Sequence, residues 1–280
     1  MTAIFKKELW AYFGNWSAWA IIAAFSVICA LFLFFFDNES NILEIGFASL
    51  QSYFALVPWI LMFIMPALSM RALAEEQQNG TLSWLFSQPL KISEIITGKF
   101  LAVWLIGALC LIPSLVYLYT IHTLGVPQGN LAFGATLGSY LGLLILIGAF
   151  ASVGILASSL SSNQIMAYLL GLFLSFLLYF GVEQLASYKL LGGADYILQN
   201  LGFYRHFMGF TRGLLDSRDL FYFLFVILVC LSLAVYFVKK KKKYTHTWRK
   251  RFPRKKNAIE AGRGGSHLQP QHFRRLRQVD

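Results

Sequence analysis

The chain has 280 residues, 57 % of them hydrophobic and only 13 % charged, with a mean hydropathy of +0.59. Soluble domains carry about a quarter charged residues, so the composition excludes an ordinary soluble protein and describes one embedded in a membrane. The net charge of +11 does not mark a nucleic-acid binder: residues 1–238 hold nine Lys and Arg against eleven Asp and Glu, a balance of −2, and residues 239–280 hold the other fifteen against Glu260 and Asp280, a balance of +13. Basicity confined to a tail speaks of topology and lipid headgroups.

At the amino terminus Ile4, Phe5, Leu9, Tyr12 and Phe13 recur at roughly helical spacing, with Lys6, Lys7 and Asn15 elsewhere. This predicts a short helix lying in the membrane interface over residues 1–16, with an extension of the first span as the alternative. About twenty apolar residues cross a bilayer. Six segments qualify, at 17–36, 53–70, 100–121, 131–159, 165–182 and 220–238, each free of Asp, Glu, Lys and Arg. The first is too long for a secretory signal and ends in Phe34, Phe35, Phe36 and Asp37 instead of a small-residue cleavage site, so it reads as a retained helix.

Six spans place the amino terminus, residues 71–99, the turn at 159–164 and the Lys239 to Lys243 run on one side. The opposite side receives 37–52, 122–130 and 183–219, and the first two of these loops contain no Lys or Arg. The positive-inside rule then makes both termini cytoplasmic. Gly134, Gly138 and Gly142 in the fourth span form a doubled small-xxx-small pattern, which reads first as packing within one subunit, with a dimer seam as the alternative. The apolar 183–219 segment predicts short helices on the outer side, before the sixth span. Cys29, Cys110 and Cys230 lie in apolar runs and read as packing residues. The tail divides into a headgroup-facing Lys239 to Lys243 run and residues 257–280, which lack apolar periodicity and are expected to be disordered; Arg274, Arg275 and Arg277 read as solvated.

Between the second and third spans lies a polar insert, RALAEEQQNGTLSWLFSQPL, from Arg71 to Leu90. A helix running out of the second span would display Glu75 and Glu76, Gly80 would end it with a left-handed cap, and Thr81 would restart a short transverse helix up to Pro89. Anchoring in lipid requires none of this.

The pattern Arg71-x-Leu73-x-x-Glu76-x-x-x-Gly80-Thr81-Leu82-x-x-Leu85-Phe86-Ser87-x-Pro89-Leu90, followed by Ser93, Glu94, Ile95 and Gly98-Lys99-Phe100, resembles the coupling segment of ABC-2 type transporter permeases. On the outer side His206-Phe207, Phe210, Arg212-Gly213-Leu214-Leu215-Asp216 and Arg218-Asp219-Leu220 resemble the segment before the last span in the gliding-motility-associated branch of that family. The chain departs from the pattern at Ser83, where relatives often carry an acid.

The resemblance, covering residues 1 to about 240, implies an all-α integral membrane protein. Its parts are an amino-terminal interfacial helix (1–16), a six-span permease domain (17–238) and a basic cytoplasmic tail (239–280), with a cytoplasmic coupling helix after the second span. It implies a non-catalytic subunit in the bacterial inner membrane that pairs with a second permease copy or a related permease and is driven by ATP-binding subunits. ATP and magnesium would be held by those subunits. An accessory membrane protein with an external domain is a further expected partner, alongside lipids and without nucleic acid. Arg71, Glu75, Glu76, Gly80, Thr81 and Pro89 are the implied coupling residues, and His206, Phe207, Arg212, Gly213 and Asp216 an implied external gate or cap. The residues themselves agree by omission: a phosphate-cradling loop needs Gly-x-x-x-x-Gly-Lys-Ser/Thr, and Gly98-Lys99 is followed by Phe100 and preceded by Ser93 at the first glycine's position. The alternatives are an ABC-2 permease of another branch (drug, copper-related or polymer export), a membrane-embedded enzyme or a passive channel. An enzyme needs convergent ionisable groups, whereas the marked spans hold none and His122 and His206 have no partner at ligand spacing.

Overall fold

The computed structural model describes residues 1–36, 42, 49–82, 90–124, 132–188, 199–213 and 216–251, with side chains placed as far as Lys242. It contains two compact units, Met1–Lys241 and Lys242–Asp280; the first holds the spans. The transverse helix expected before Pro89, Ser83 and the tail beyond residue 251 lie outside the described residues.

All regular elements among the described residues are helical. A helix α1 (Thr2–Gly14) precedes α2 (Ser17–Ala30), which runs into a π-turn at Leu31–Phe35. Then come α3 (Gln51–Gln78), α4 (Ile92–Cys110), a 3₁₀ turn at Ile112–Ser114 and α5 (Leu115–Leu124). The remainder is α6 (Phe133–Leu160), α7 (Gln164–Phe176) continued through a π-turn (Leu177–Gly181) into α8 (Val182–Ser187), α9 (Phe203–Thr211) and α10 (Ser217–Arg251). Among the described residues, six helical stretches are long and apolar enough to cross a membrane: Ser17–Phe35, Gln51–Gln78, Ile92–Thr123, Phe133–Leu160, Gln164–Ser187 and Ser217–Lys242. They match the six predicted spans; α8 completes the fifth, and α9 is, among the described residues, the short helix expected before the sixth.

Several boundaries differ from the apolar runs for local reasons. Helix α3 continues eight residues beyond Met70, because Ala, Glu and Gln are good helix formers and no breaker arrives before Gly80. Helix α10 likewise passes through the lysine run to Arg251, with no glycine or proline before Pro253. The third span is interrupted where Pro113 removes an amide donor, and the ladder tightens into the 3₁₀ turn.

Helix α6 is the centre of the bundle: 78 % of its apolar window is buried, against 17 % for α10. Close packing there depends on missing side chains. A Cβ at Gly154 would stand 1.9 Å from Ser69 Oγ on α3, and one at Gly142 would stand 2.6 Å from Phe210 Cβ on α9. Gly138 and Gly142 therefore pack under α9 of their own subunit, as the first reading of that pattern has it, whereas a Cβ at Gly134 would meet nothing within 4 Å among the described residues.

The amino-terminal helix is more than an interfacial strip. Ile4 and Tyr12 are buried, and the Tyr12 hydroxyl donates to the Leu68 carbonyl of α3 at 2.7 Å. Burial holds that phenol well above its ordinary pKa, so it stays a donor. Trp10 and Trp16 point outward, 77 % and 79 % exposed, as suits rings at a membrane interface.

Candidate functional site

The polar end of α3 converges with α1 and α4 on one cavity of about 290 Å³, lined by Lys7, Glu8, Ala11, Arg71, Glu75, Glu76, Asn79, Thr81 and Lys99. Four of the six predicted coupling residues thus share one surface. Gly80 adopts the left-handed conformation expected of it, φ +70°, and the Thr81 hydroxyl donates to the Glu76 carbonyl at 3.4 Å, folding the chain back after the helix. Pro89 lies outside the described residues.

The two glutamates do not play the same part. Glu76 is turned inward: Lys99 Nζ donates to Glu76 Oε1 at 2.9 Å and to Glu8 Oε1 at 2.7 Å. Lys99 is only 2 % exposed. An ammonium removed from water costs several kcal/mol unless charge partners compensate it, and here two carboxylates do. Glu75 and Arg71 face the cavity without belonging to that cluster, and Arg71 is exposed. One ammonium against two carboxylates gives this cluster a formal charge of −1, which Lys7 and Arg71 against Glu75 bring to zero over the whole cavity lining.

Gly98 explains why α1 can come so close. A Cβ there would meet Ile4 Cβ and the Met1 carbonyl oxygen at 3.2 Å, so the Gly98-Lys99 pair, useless as a phosphate loop, is a seat for α1. Beside it Ile4 and Ile95 are buried together, with Leu82 and Leu90 packed on them. Leu82 and Leu90 are thereby packed on α1 and α4.

Residues 41–238 match the family described as ABC-2 family transporter protein. The chain belongs to this ABC-2 transporter family. No curated protein matches it. Members are membrane permease subunits of ABC transporters, generally non-catalytic, and membership implies association with an ABC ATP-binding subunit.

Two further polar ties reach the same end of the ABC-2 permease. On α6, Ser158 Oγ accepts from the amides of Leu73 and Ala74, each at 3.0 Å, and donates to the Met70 carbonyl at 3.0 Å. On α10, Lys241 Nζ donates to Gln77 Oε1 at 2.7 Å and to the Ser159 carbonyl at 2.6 Å. The second contact covers a carbonyl left open at the carboxyl end of α6, where a cation is also favoured by the helix dipole. Glu8 and Ser158 carry no local motif, and neither the Gly98-Lys99-Phe100 stretch nor the Lys239 to Lys243 run points to the partners of Lys99 and Lys241. The one signal was Lys99 itself, a charge close to an apolar run, which invites a search for carboxylates.

At the opposite end of the permease the predicted cap residues separate. His206 Nδ1 is 2.7 Å from Asp219 Oδ1 and Nε2 is 2.9 Å from the Asn200 carbonyl, and the ring stacks on Tyr222 at 3.9 Å. The histidine that has no partner in sequence thus has one in space. Phe207 is buried. Arg212 and Asp216 are exposed, Asp216 Oδ1 capping the start of α10 by accepting from the Arg218 amide at 3.0 Å. Gly213 is left-handed, φ +76°, and its Cα packs 3.4 Å from a Cβ built at Gly138. His206 and Phe207 hold α9 down, while Arg212 and Asp216 are exposed.

Proposed function

We propose that this permease exports its substrate across the bacterial cytoplasmic membrane, with both termini inside, using energy received from a separate ATP-binding subunit at the Arg71 to Leu90 segment. The observation that carries the reading is the cavity where Arg71, Glu75 and Thr81 meet beside the left-handed turn at Gly80, on a segment tied to three helices. ATP and magnesium belong to that subunit. Its closure on ATP displaces the segment, and rigid helices turn the shift into alternate exposure of a path shared with a second permease, either a copy or a relative. Assignment to the gliding-motility-associated branch, with an accessory protein bearing an external domain, rests on the resemblance of residues 206–220 and is the finer part of the proposal.

Glu75→Ala tests the coupling surface. The variant keeps wild-type abundance in membranes but recovers less co-expressed ATP-binding subunit. Equal recovery with unchanged ATPase activity overturns the role of this surface. Glu76→Ala is the poorer test, since it also strips Lys99 of a carboxylate.

A further inference from the structure

One turn of α3, residues 73–77, is gripped by three other helices. Ser158 of α6 takes the amides of Leu73 and Ala74; Lys99 of α4 takes Glu76; Lys241 of α10 takes Gln77. Through the second carboxylate on Lys99, the grip extends to Glu8 of α1. Within that turn Glu75 has no part in these ties and faces the cavity. Polar contacts so dense in one turn are costly to desolvate. Apolar packing would have served the fold without such precision. A side chain on the backbone ladder, as Ser158 is here, also marks the place where a helix can bend.

We infer that Lys99 and Ser158 are positioning residues for energy coupling: they fix the azimuth of Glu75 and make the cytoplasmic end of α3 move as one body with α1 and the start of α4. The inference rests on the coupling role proposed for residues 71–90. A push on the cytoplasmic end of α3 then travels to α4 and α1 as well, because Lys99 holds Glu76 and Glu8 at once. Without that ammonium α1 and α3 respond separately.

The test uses the full chain with its ATP-binding subunit in nanodiscs, spin-labelled at Ala3→Cys and Gln78→Cys, both exposed positions, in a background with the three native cysteines replaced by Ser or Ala. In the parent the distance distribution between labels stays narrow with and without ATP. Lys99→Met broadens it and lowers kcat of the complex for ATP about fivefold or more, with KM for ATP unchanged since nucleotide binds the other chain. Lys99→Arg, which can still bridge two carboxylates, restores both. Should Lys99→Met fail to accumulate, Glu8→Gln removes one arm of the bridge and gives the same broadening at smaller amplitude. An unchanged distribution and kcat in Lys99→Met or Glu8→Gln overturns the inference, as does a Lys99→Arg variant as impaired as Lys99→Met. If the parent chain recovers no ATP-binding subunit, the coupling reading itself fails, and the label distances alone still decide whether Lys99 joins α1 to α3.

Discussion

The hydroxyl of Ser158 sits 3.0 Å from the amide nitrogen of Leu73, although 85 residues separate them in the chain. Removing it in Ser158→Ala strips an acceptor from two buried amides and a donor from the Met70 carbonyl. The expected loss is about 1–3 kcal/mol of stability, the cost of orphaning buried polar groups. Thermal unfolding in detergent, read by the reaction of a thiol-specific dye with Cys29, Cys110 and Cys230, all buried, checks it; an unchanged midpoint would show the contact to be dispensable.

The α3–α6 seam gives a sharper steric contrast. Gly154→Ala drives a methyl group onto Ser69, 1.9 Å from Oγ and 2.8 Å from Cβ, and overpacking of this kind costs about 1–3 kcal/mol. A methyl group at Gly134 meets nothing within 4 Å among the described residues, so Gly134→Ala is neutral or stabilising by less than about 1 kcal/mol. The same unfolding assay ranks the two, and equal midpoints would contradict the seam.

The two neighbouring glutamates are expected to separate by experiment. Glu76→Gln weakens a pair whose side chains are 3 % and 16 % exposed and lowers stability by about 1–3 kcal/mol, since Lys99 keeps Glu8 but loses a charge partner. Glu75→Gln leaves the stability within about 0.5 kcal/mol of wild type, since the half-buried Glu75 has no part in the Lys99 cluster. Its effect appears in the recovery of the ATP-binding subunit. Reversal of these two phenotypes would mean that Glu76 is the outward-facing group.

Composition and hydropathy were enough to read the six spans, because crossing a bilayer demands long uncharged runs whatever their packing. The left-handed turn at Gly80 was equally legible, since the glycine follows a run of helix formers and precedes a threonine. The Lys99 bridge was not: its carboxylates come from positions 8 and 76, and nothing local in either sequence stretch announces the other. The inward turn of Glu76 followed the same logic, two adjacent glutamates differing only in which helix face meets α4. His206 read as solitary because its partner, Asp219, belongs to the next helix. Pairings between helices arise from packing, which periodicity within a helix does not encode.

At the other end of the bundle His206→Ala removes the stack on Tyr222 and both ring contacts, loosening α9 on α10 while Phe203 and Phe210 keep their contacts with Phe223. Hydrogen exchange is expected to speed up across residues 203–211 while the amides of α3 keep wild-type protection. Uniform loss of protection through both helices would instead report global destabilisation.

Site-specific photo-crosslinking tests the central claim most directly, with p-benzoylphenylalanine at Asn79, exposed beside the cavity, or at Phe133, exposed at the far end of α6. With the ATP-binding subunit co-expressed, the probe at 79 yields a crosslink to that subunit and the probe at 133 yields none. A co-purified subunit that crosslinks from 133, or that never crosslinks from 79, would contradict energy entry through the Arg71 to Leu90 segment.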